Sequence, residues 1–578
     1  MSKLNIDQKT INDLFASKKS DFLIPDYQRP YAWTEDECNT LWDDIFTFAF
    51  PNDDCDAFDS ANDEYFLGPI VTFKNADGKL EIIDGQQRLT TIMLLLRAFY
   101  SKFEFMKDKQ SVSTRDTIAR CIWKTDEFGD PDKDRLKIDS EVASDDDKEE
   151  FLEILKSGRT GAGHQSKYAA TFSFFEDKIA RLVNEYPSYT AYLATRILNN
   201  VILLPIEAES QDSALRIFST LNDRGLPLSD ADIFKSQFYK QFSDAGRKNE
   251  FISRWKVLEE KCAAIFKPMR GTPMDELFTR YMYFERARQG NRNTTTEALR
   301  DFYEKNAYEL LKRDETFDNL EQLAGFWERV DKQDGFSERV LKRLFVLGYA
   351  PNGMWTYLVS VYFMSNKDDQ GELDEGEFFS FLSLITAFIW AYAIERPGVN
   401  ALRTPVYPEM INIVNGEAVS FANHRFEAGA IRDRFMSYVF TNGRPVTKSM
   451  LTWWAFNNDA QPLLDADARL EIEHIYSKKR ADAEGALKDR ANLESLGNKS
   501  LLEKRINIRA SDYRFEDKKK YYLGYVDGRK QEKEGTRIKE LADMAGNSDD
   551  FTEADIVERK REIVDSFVDF LGANGLLA

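Results

Sequence analysis

Between residues 66 and 103 the apolar positions change period. FLGPIVTF (66–73) and KLEII (79–83) are runs of β-formers joined by KNADG, a turn-rich link that predicts a hairpin. Leu89, Ile92, Met93 and Leu96 then recur at helical spacing and predict a helix reaching about Tyr100, capped by Asp84 with Gln87 three residues on. Upstream, SDFLIPDYQRPYAW (20–33) carries prolines at 25 and 30, which favour extended backbone before them. Thr34 and Glu37 form a capping box, and the helix behind it buries Cys38, Leu41, Trp42 and Ile45. VILLPIEAES (201–210) reads as a buried strand. It leads to an amphipathic helix ending at Asn222, a loop DRGLP, and a further helix capped by Ser229 with Asp232 nearby.

Residues 101–165 are charge-rich, with SDDDKEE (144–150) and SGRTGAGHQS (157–166), and predict an insertion of exposed loops around a helix. From about 240 to 440 the period is mostly 3.6, in aromatic-rich stretches such as ELFTRYMYFERARQ and EFFSFLSLITAFIWAYAIE. EADIVERKREIVDSFVDFLG closes the chain as a helix. The expected class is α+β and predominantly helical, divided at 1–240, 241–440 and 441–578.

Composition narrows the function. With 42% apolar residues, 43 Phe and 24 Tyr, the 578-residue chain builds real cores rather than a disordered polymer. Its charge of −20, from 79 Lys and Arg against 99 Asp and Glu, argues against non-specific coating of nucleic acid. Positive charge gathers locally in KKRADAEGALKDR (478–490) and KRINIRASDYRFEDKKKYY (504–522), where any DNA is expected. The four cysteines form no C-x-x-C pair, so neither a zinc site nor a disulfide framework is expected, and a reducing cytoplasm fits. The amino terminus lacks a signal-peptide core and no run of about 18 apolar residues is expected anywhere, so no membrane is expected.

Two clusters carry candidate chemistry. In IIDGQQRLTT (82–91) a strand feeds a helix amino terminus, whose unpaired N–H groups suit phosphate. Gly85 allows close approach, Arg88 offers a charged fork, and Gln86 and Gln87 offer amides; the plain alternative is a capped turn. Gln28 and Arg29 in DYQRPYAW, and Asn222, Asp223 and Arg224 in LNDRG, add further polar clusters.

Of the three histidines, His164 and His424 fit surface or structural roles. His474 instead ends a short strand in RLEIEHIYSKKRA, followed by Asn498 and Asn507 in NLESLGNKSLLEKRIN. A ββα-metal nuclease needs a histidine base at a strand end, a neighbouring carboxylate and a helix-start residue on a divalent ion, and a loop asparagine fixing the histidine. Glu473-His474, Asn498 and Asn507 fill that order.

IPDYQRPYAW, FLGPIV, IIDGQQRLTT and IFSTLNDRGLPLSDADIFKSQF, in order over roughly residues 10 to 240, resemble the amino-terminal domain of GmrSD-type enzymes. These are type IV, modification-dependent restriction systems whose first domain is ParB-like and handles nucleotides. E-H-I, L-G-N-x-x-L-L and the following Asn are similar to their HNH-type nuclease domain.

The resemblance implies a ParB-like α/β domain, a helical middle domain and a carboxyl-terminal HNH domain. It assigns His474 as general base, Asn498 as its orienting partner, and Glu473 and Asn507 as ligands of Mg²⁺ or Mn²⁺. Glu471 would assist and Lys518 would contact DNA. A nucleoside triphosphate held by Gln28, Arg29, Asp84, Gly85, Gln86, Gln87, Arg88, Asn222, Asp223 and Arg224 would gate, as an NTPase, the cutting of modified phage DNA. A homodimer is one expected assembly. Two departures stand out: Tyr476-Ser477-Lys478 replaces the proline usual after E-H-I, and Lys499 replaces an apolar residue after G-N. The alternatives are a nucleotide-switched DNA-binding regulator with an inactive HNH domain, and an RNA-cleaving toxin.

Overall fold

The computed structural model describes all residues except 1–4, 7, 143–146, 162–165, 212, 215, 216, 218–228, 399 and 486. It divides into two compact units, Met1–Lys256 and Val257–Ala578, with the boundary inside the helix Lys248–Ile265.

The first unit is built on a mixed sheet. In spatial order its strands are Asn5–Ile6, Val201–Ala208, Tyr65–Lys74, Leu80–Asp84, Phe22–Ile24 and Ile138–Ser140, and Lys9–Thr10 pairs with Val201–Ala208 as well. The expected hairpin forms: Tyr65–Lys74 and Leu80–Asp84 run antiparallel around a turn that puts Gly78 at φ +82°. Val201–Ala208 is parallel to Tyr65–Lys74, which explains its continuous apolar run, since a central parallel strand is covered on both faces.

Against this sheet lies the helix Gln86–Phe103, buried on every side from Leu89 to Tyr100. The four-residue stripe expected there understates it. Leu94, Leu95 and Phe99 are covered as fully as Leu89 and Ile92, because the helices Lys109–Ile122 and Lys167–Glu185 enclose it.

The described residues of 101–165 are more than exposed loops around a helix. They supply the edge strand Ile138–Ser140 and bury Ile118, Trp123 and Phe151 in the main core. Their charged residues occupy the outer faces of elements whose inner faces are apolar, and it is that inner face that fixes their place.

The second unit is helical around Glu375–Glu395, whose Phe388, Ile389, Trp390 and Ala391 are fully covered. That helix is long and apolar enough to cross a membrane, yet 72% of its most apolar window is buried within the protein. It is therefore the core helix of a folded unit. Near the carboxyl end an antiparallel pair, Leu470–His474 with Lys499–Glu503, is followed by the helices Lys504–Ala510 and Phe515–Leu523.

The closing helix Glu553–Ala573 locks this hairpin. Arg559 donates to the carbonyls of Leu496, Gly497 and Lys499 at 3.2, 2.9 and 2.7 Å, while Glu540 holds its other edge. Gly497 is required by this approach: a Cβ there would lie 1.9 Å from the Ile556 carbonyl oxygen.

Candidate functional site

In the first unit the two glutamine-rich segments are sewn together. Gln28 donates from Nε2 to the carbonyls of Ile82 and Ile83, each at 3.2 Å. Gln87 accepts from the Ala32 N–H at 2.7 Å and donates to the Pro30 carbonyl at 3.2 Å, while Gln86 donates to the Arg29 carbonyl at 3.2 Å. Prolines 25 and 30 leave this irregular stretch without a sheet partner, and the buried amides satisfy its backbone instead.

Asp84 does not cap the helix. Gly85 is the cap, at φ +94°, with no side-chain hydrogen bond, and Gln87 reaches across to the neighbouring segment rather than back. The Asp84 carboxylate takes Arg88 at 3.3 Å. Burial pushes Asp84 up from the usual carboxylate range, against the pull of Arg88. Arg88 itself donates to the Pro69 carbonyl at 2.7 Å, over Gly68, where a Cβ would clash with its guanidinium. The fork expected to reach a phosphate is thus turned into the hairpin.

What remains unspent is specific. Arg29 Nε and Gln86 Oε1 are buried without a hydrogen-bond partner, one donor and one acceptor at the start of the Gln86–Phe103 helix. The structure brings together Gln28, Arg29, Asp84, Gly85, Gln86, Gln87 and Arg88. Asn222, Asp223 and Arg224 lie outside the described residues, as does His164.

Sequence reading passed over Asp26, in the same IPDYQRP motif. It is buried, paired with Lys248, and accepts from the Tyr239 hydroxyl at 3.1 Å. Beside it opens a cavity of about 480 Å³ whose wall includes Lys148, Lys248 and Glu141.

In the second unit the hairpin places His474 at the end of its strand, opposite Lys499. Its Nε2 is buried without a hydrogen-bond partner and lies 3.6 Å from Glu494 Oε1. Burial, with Lys499 and Lys478 nearby, lowers its pKa to about 4, so the imidazole is neutral at pH 7. Glu494 is also held by Lys499 at 2.6 Å and Lys478 at 3.2 Å. Glu494 stands in NLESLGN, and only its place beside the paired strand marks it.

Alternation along the strand separates Glu473 from His474. Glu473 is covered and receives Lys518 Nζ and the Tyr522 hydroxyl, each at 2.6 Å. Lys518 also donates to the His474 carbonyl at 2.7 Å and is 1% exposed, so it cannot be the DNA contact expected of it.

Asn507 donates to Glu471 at 3.2 Å. Asn498 does not touch the imidazole. Its Oδ1 accepts from the Tyr476 N–H at 2.7 Å, and its Nδ2 donates to the carbonyls of Tyr476 and Leu493 at 3.1 Å, so it fixes the turn that follows His474. Tyr476, in place of the usual proline, is itself buried under Arg480. Lys499 is buried too, spanning Glu494 and the Phe440 carbonyl.

Oxygen donors such as Glu473 and Asn507 are of the kind a hard divalent ion takes. As placed they do not fit one: Glu473 is already compensated by Lys518, and Asn507 is engaged with Glu471. Among the described residues no three His, Cys, Asp or Glu side chains gather around one point.

Comparison with known families gives two matches. A family model described as GmrSD restriction endonuclease, N-terminal domain, matches residues 11–239, and one described as GmrSD restriction endonucleases, C-terminal domain, matches residues 428–566. No curated protein matches the chain.

Proposed function

The chain belongs to the GmrSD restriction endonuclease family, and from that premise we propose that it cuts modified phage DNA at the His474 hairpin under control of a nucleotide in its first unit. The observation that carries the reading is the unpartnered, buried Nε2 of a neutral His474. Such an atom can take the proton of a water attacking a phosphodiester, provided the phosphate enters beside it. Asn498 and Arg559 hold the backbone on either side of the paired strands, so the imidazole is presented by a rigid frame.

Exposed Lys478 and Lys479, at the start of the basic run, are suited to the DNA backbone. The Mg²⁺ or Mn²⁺ expected on Glu473 and Asn507 is not carried into this reading, because both residues are otherwise engaged.

In the first unit, Arg29 Nε and Gln86 Oε1, with the open N–H groups of the Gln86–Phe103 helix, are the groups proposed to meet a nucleoside triphosphate. The remaining glutamines transmit its presence along residues 28–32, since they tie that segment to the helix. Plasmid and phage DNA, modified and unmodified, incubated with wild type and His474→Ala and each nucleotide in turn, tests the reading. Equal nicking by the two proteins removes His474 from the chemistry.

A second reading, a nucleotide-switched DNA-binding regulator, is favoured by one feature. Lys499 stands opposite His474 and disfavours the imidazolium that proton abstraction creates. It predicts tight nucleotide-dependent DNA binding with no His474-dependent cleavage in the same samples.

A further inference from the structure

The second unit holds a cavity of about 400 Å³, within the range of small-ligand sites, that neither the hairpin chemistry nor the nucleotide site uses. Its wall joins the end of the helix Glu375–Glu395 to the segment entering the helix Pro445–Phe456. Two aromatic rings, Tyr392 and Tyr438, and two arginines, Arg396 and Arg444, line it together with Asn352, and no aspartate or glutamate does.

In a chain of charge −20 such a wall is selective. Neither guanidinium forms an ion pair or a side-chain hydrogen bond among the described residues, and Arg444 lies over the Tyr438 ring at 4.7 Å. Tyr392 is 3% exposed and stacked on Phe388, so the half-buried Tyr438, with Arg444 over its ring, is the aromatic surface the pocket offers; with the two unpaired guanidiniums it carries the features that recognise an aromatic base and its phosphate.

The wall is also joined to the hairpin. Two residues beyond Tyr438, the Phe440 carbonyl accepts from Lys499 Nζ, whose other partner, Glu494, is the carboxylate nearest His474 Nε2.

We propose that this cavity receives one nucleotide extruded from the DNA substrate, its base against Tyr438 and its phosphate between Arg396 and Arg444. The proposal rests on the reading of the chain as a DNA endonuclease. Enzymes that inspect a base in a duplex must take it out of the stack, and a pocket with aromatic walls offsets the cost of unstacking. A base enlarged by modification would be read here by its fit, and the contact through Lys499 would report it to His474.

The test uses the full-length chain and a duplex carrying 5-iododeoxyuridine, irradiated and mapped by mass spectrometry, with plasmid nicking measured in parallel. Adducts on the peptide of Tyr438 are expected. Arg396→Gln/Arg444→Gln, with unchanged Tm because both residues are exposed, is expected to weaken duplex binding at least about tenfold. Adducts that map elsewhere, with binding unchanged in the double variant, overturn the proposal even if the plasmid is nicked. Adducts in the pocket without nicking support it while removing the endonuclease reading. Protection of the pocket by a free deoxynucleoside monophosphate, with no adduct from duplex, assigns it to a free nucleotide and overturns the extruded base.

Discussion

Lys518 Nζ lies 2.6 Å from the Glu473 carboxylate, with side chains 1% and 4% exposed, and the same ammonium holds the His474 carbonyl at 2.7 Å. The pair is therefore a brace for the strand that carries the catalytic candidate. Removing one partner strands a buried charge, so Lys518→Met is expected to cost about 3–5 kcal/mol in urea denaturation. Lys518→Met/Glu473→Leu is expected to regain most of that loss, because the second change removes the uncompensated carboxylate. A single variant as stable as wild type would show that the brace is not formed.

The frame around Asn498 makes a second expectation. Asn498→Ala leaves the N–H and C=O of buried Tyr476 and the Leu493 carbonyl without that partner and is expected to cost at least about 3 kcal/mol, since each lost partner costs about 1–3. DNA affinity should change less than cleavage rate, because the turn positions His474 rather than contacting the duplex. Equal losses in binding and cleavage would count against that role.

Gly497 gives a packing test. With Ile556 O only 1.9 Å from where a Cβ would sit, Gly497→Ala must displace the closing helix, and a loss of about 3 kcal/mol is expected by thermal or urea unfolding. Gly443→Ala, where nothing stands within 4 Å, is the matched control and should stay within about 0.5 kcal/mol.

Titration of His474 has a definite sign. Its folded pKa, lowered to about 4 from 6.5, means that the native state binds fewer protons than the unfolded chain between those values. The associated stability is fully present above about pH 6.5 and is lost as pH falls toward 4, by about 3 kcal/mol in all. His474→Gln should flatten that part of the stability profile. Cleavage, if it uses the neutral imidazole, should keep its acid limb near pH 4 rather than 6.5.

In the first unit, Gln87→Ala and Arg29→Ala are expected to separate. Gln87 makes two partly buried hydrogen bonds to the Pro30–Ala32 backbone, so its loss should cost about 1–3 kcal/mol of stability. Arg29 Nε has no partner to lose, so Arg29→Ala should leave stability nearly unchanged and weaken triphosphate binding, read by calorimetry. Unchanged affinity would move the nucleotide elsewhere.

Much of this architecture was legible where pattern and burial coincide. The hairpin 66–83, the Thr34–Glu37 and Ser229–Asp232 caps and the long helices follow from local residue chemistry, and each forms. Residues 101–165 misled because charge density marks an outer face and says nothing of the inner one, where Trp123 and Phe151 sit. Asp84 misled as a cap because its carboxylate takes Arg88 four residues on and the helix starts from Gly85 instead, while Gly68, where a Cβ would clash, leaves room for the guanidinium.

The sites show the same division. Gln28, Arg29 and the 84–88 group lie together in the fold, but where each side chain points depends on tertiary partners. Glu473 and His474 are neighbours in sequence on opposite faces of one strand, and Lys518, 45 residues on, claims the carboxylate. Nor does any spacing announce that Lys499 spans Glu494 and Phe440.

Whether an unpartnered neutral His474 makes the cut is decided by nicking of supercoiled modified plasmid with wild type and His474→Ala at equal DNA occupancy. The variant is expected to bind as wild type does and to lose at least about a hundredfold in rate, the scale of a positioned general base. Nicking by the variant at the wild-type rate would contradict it.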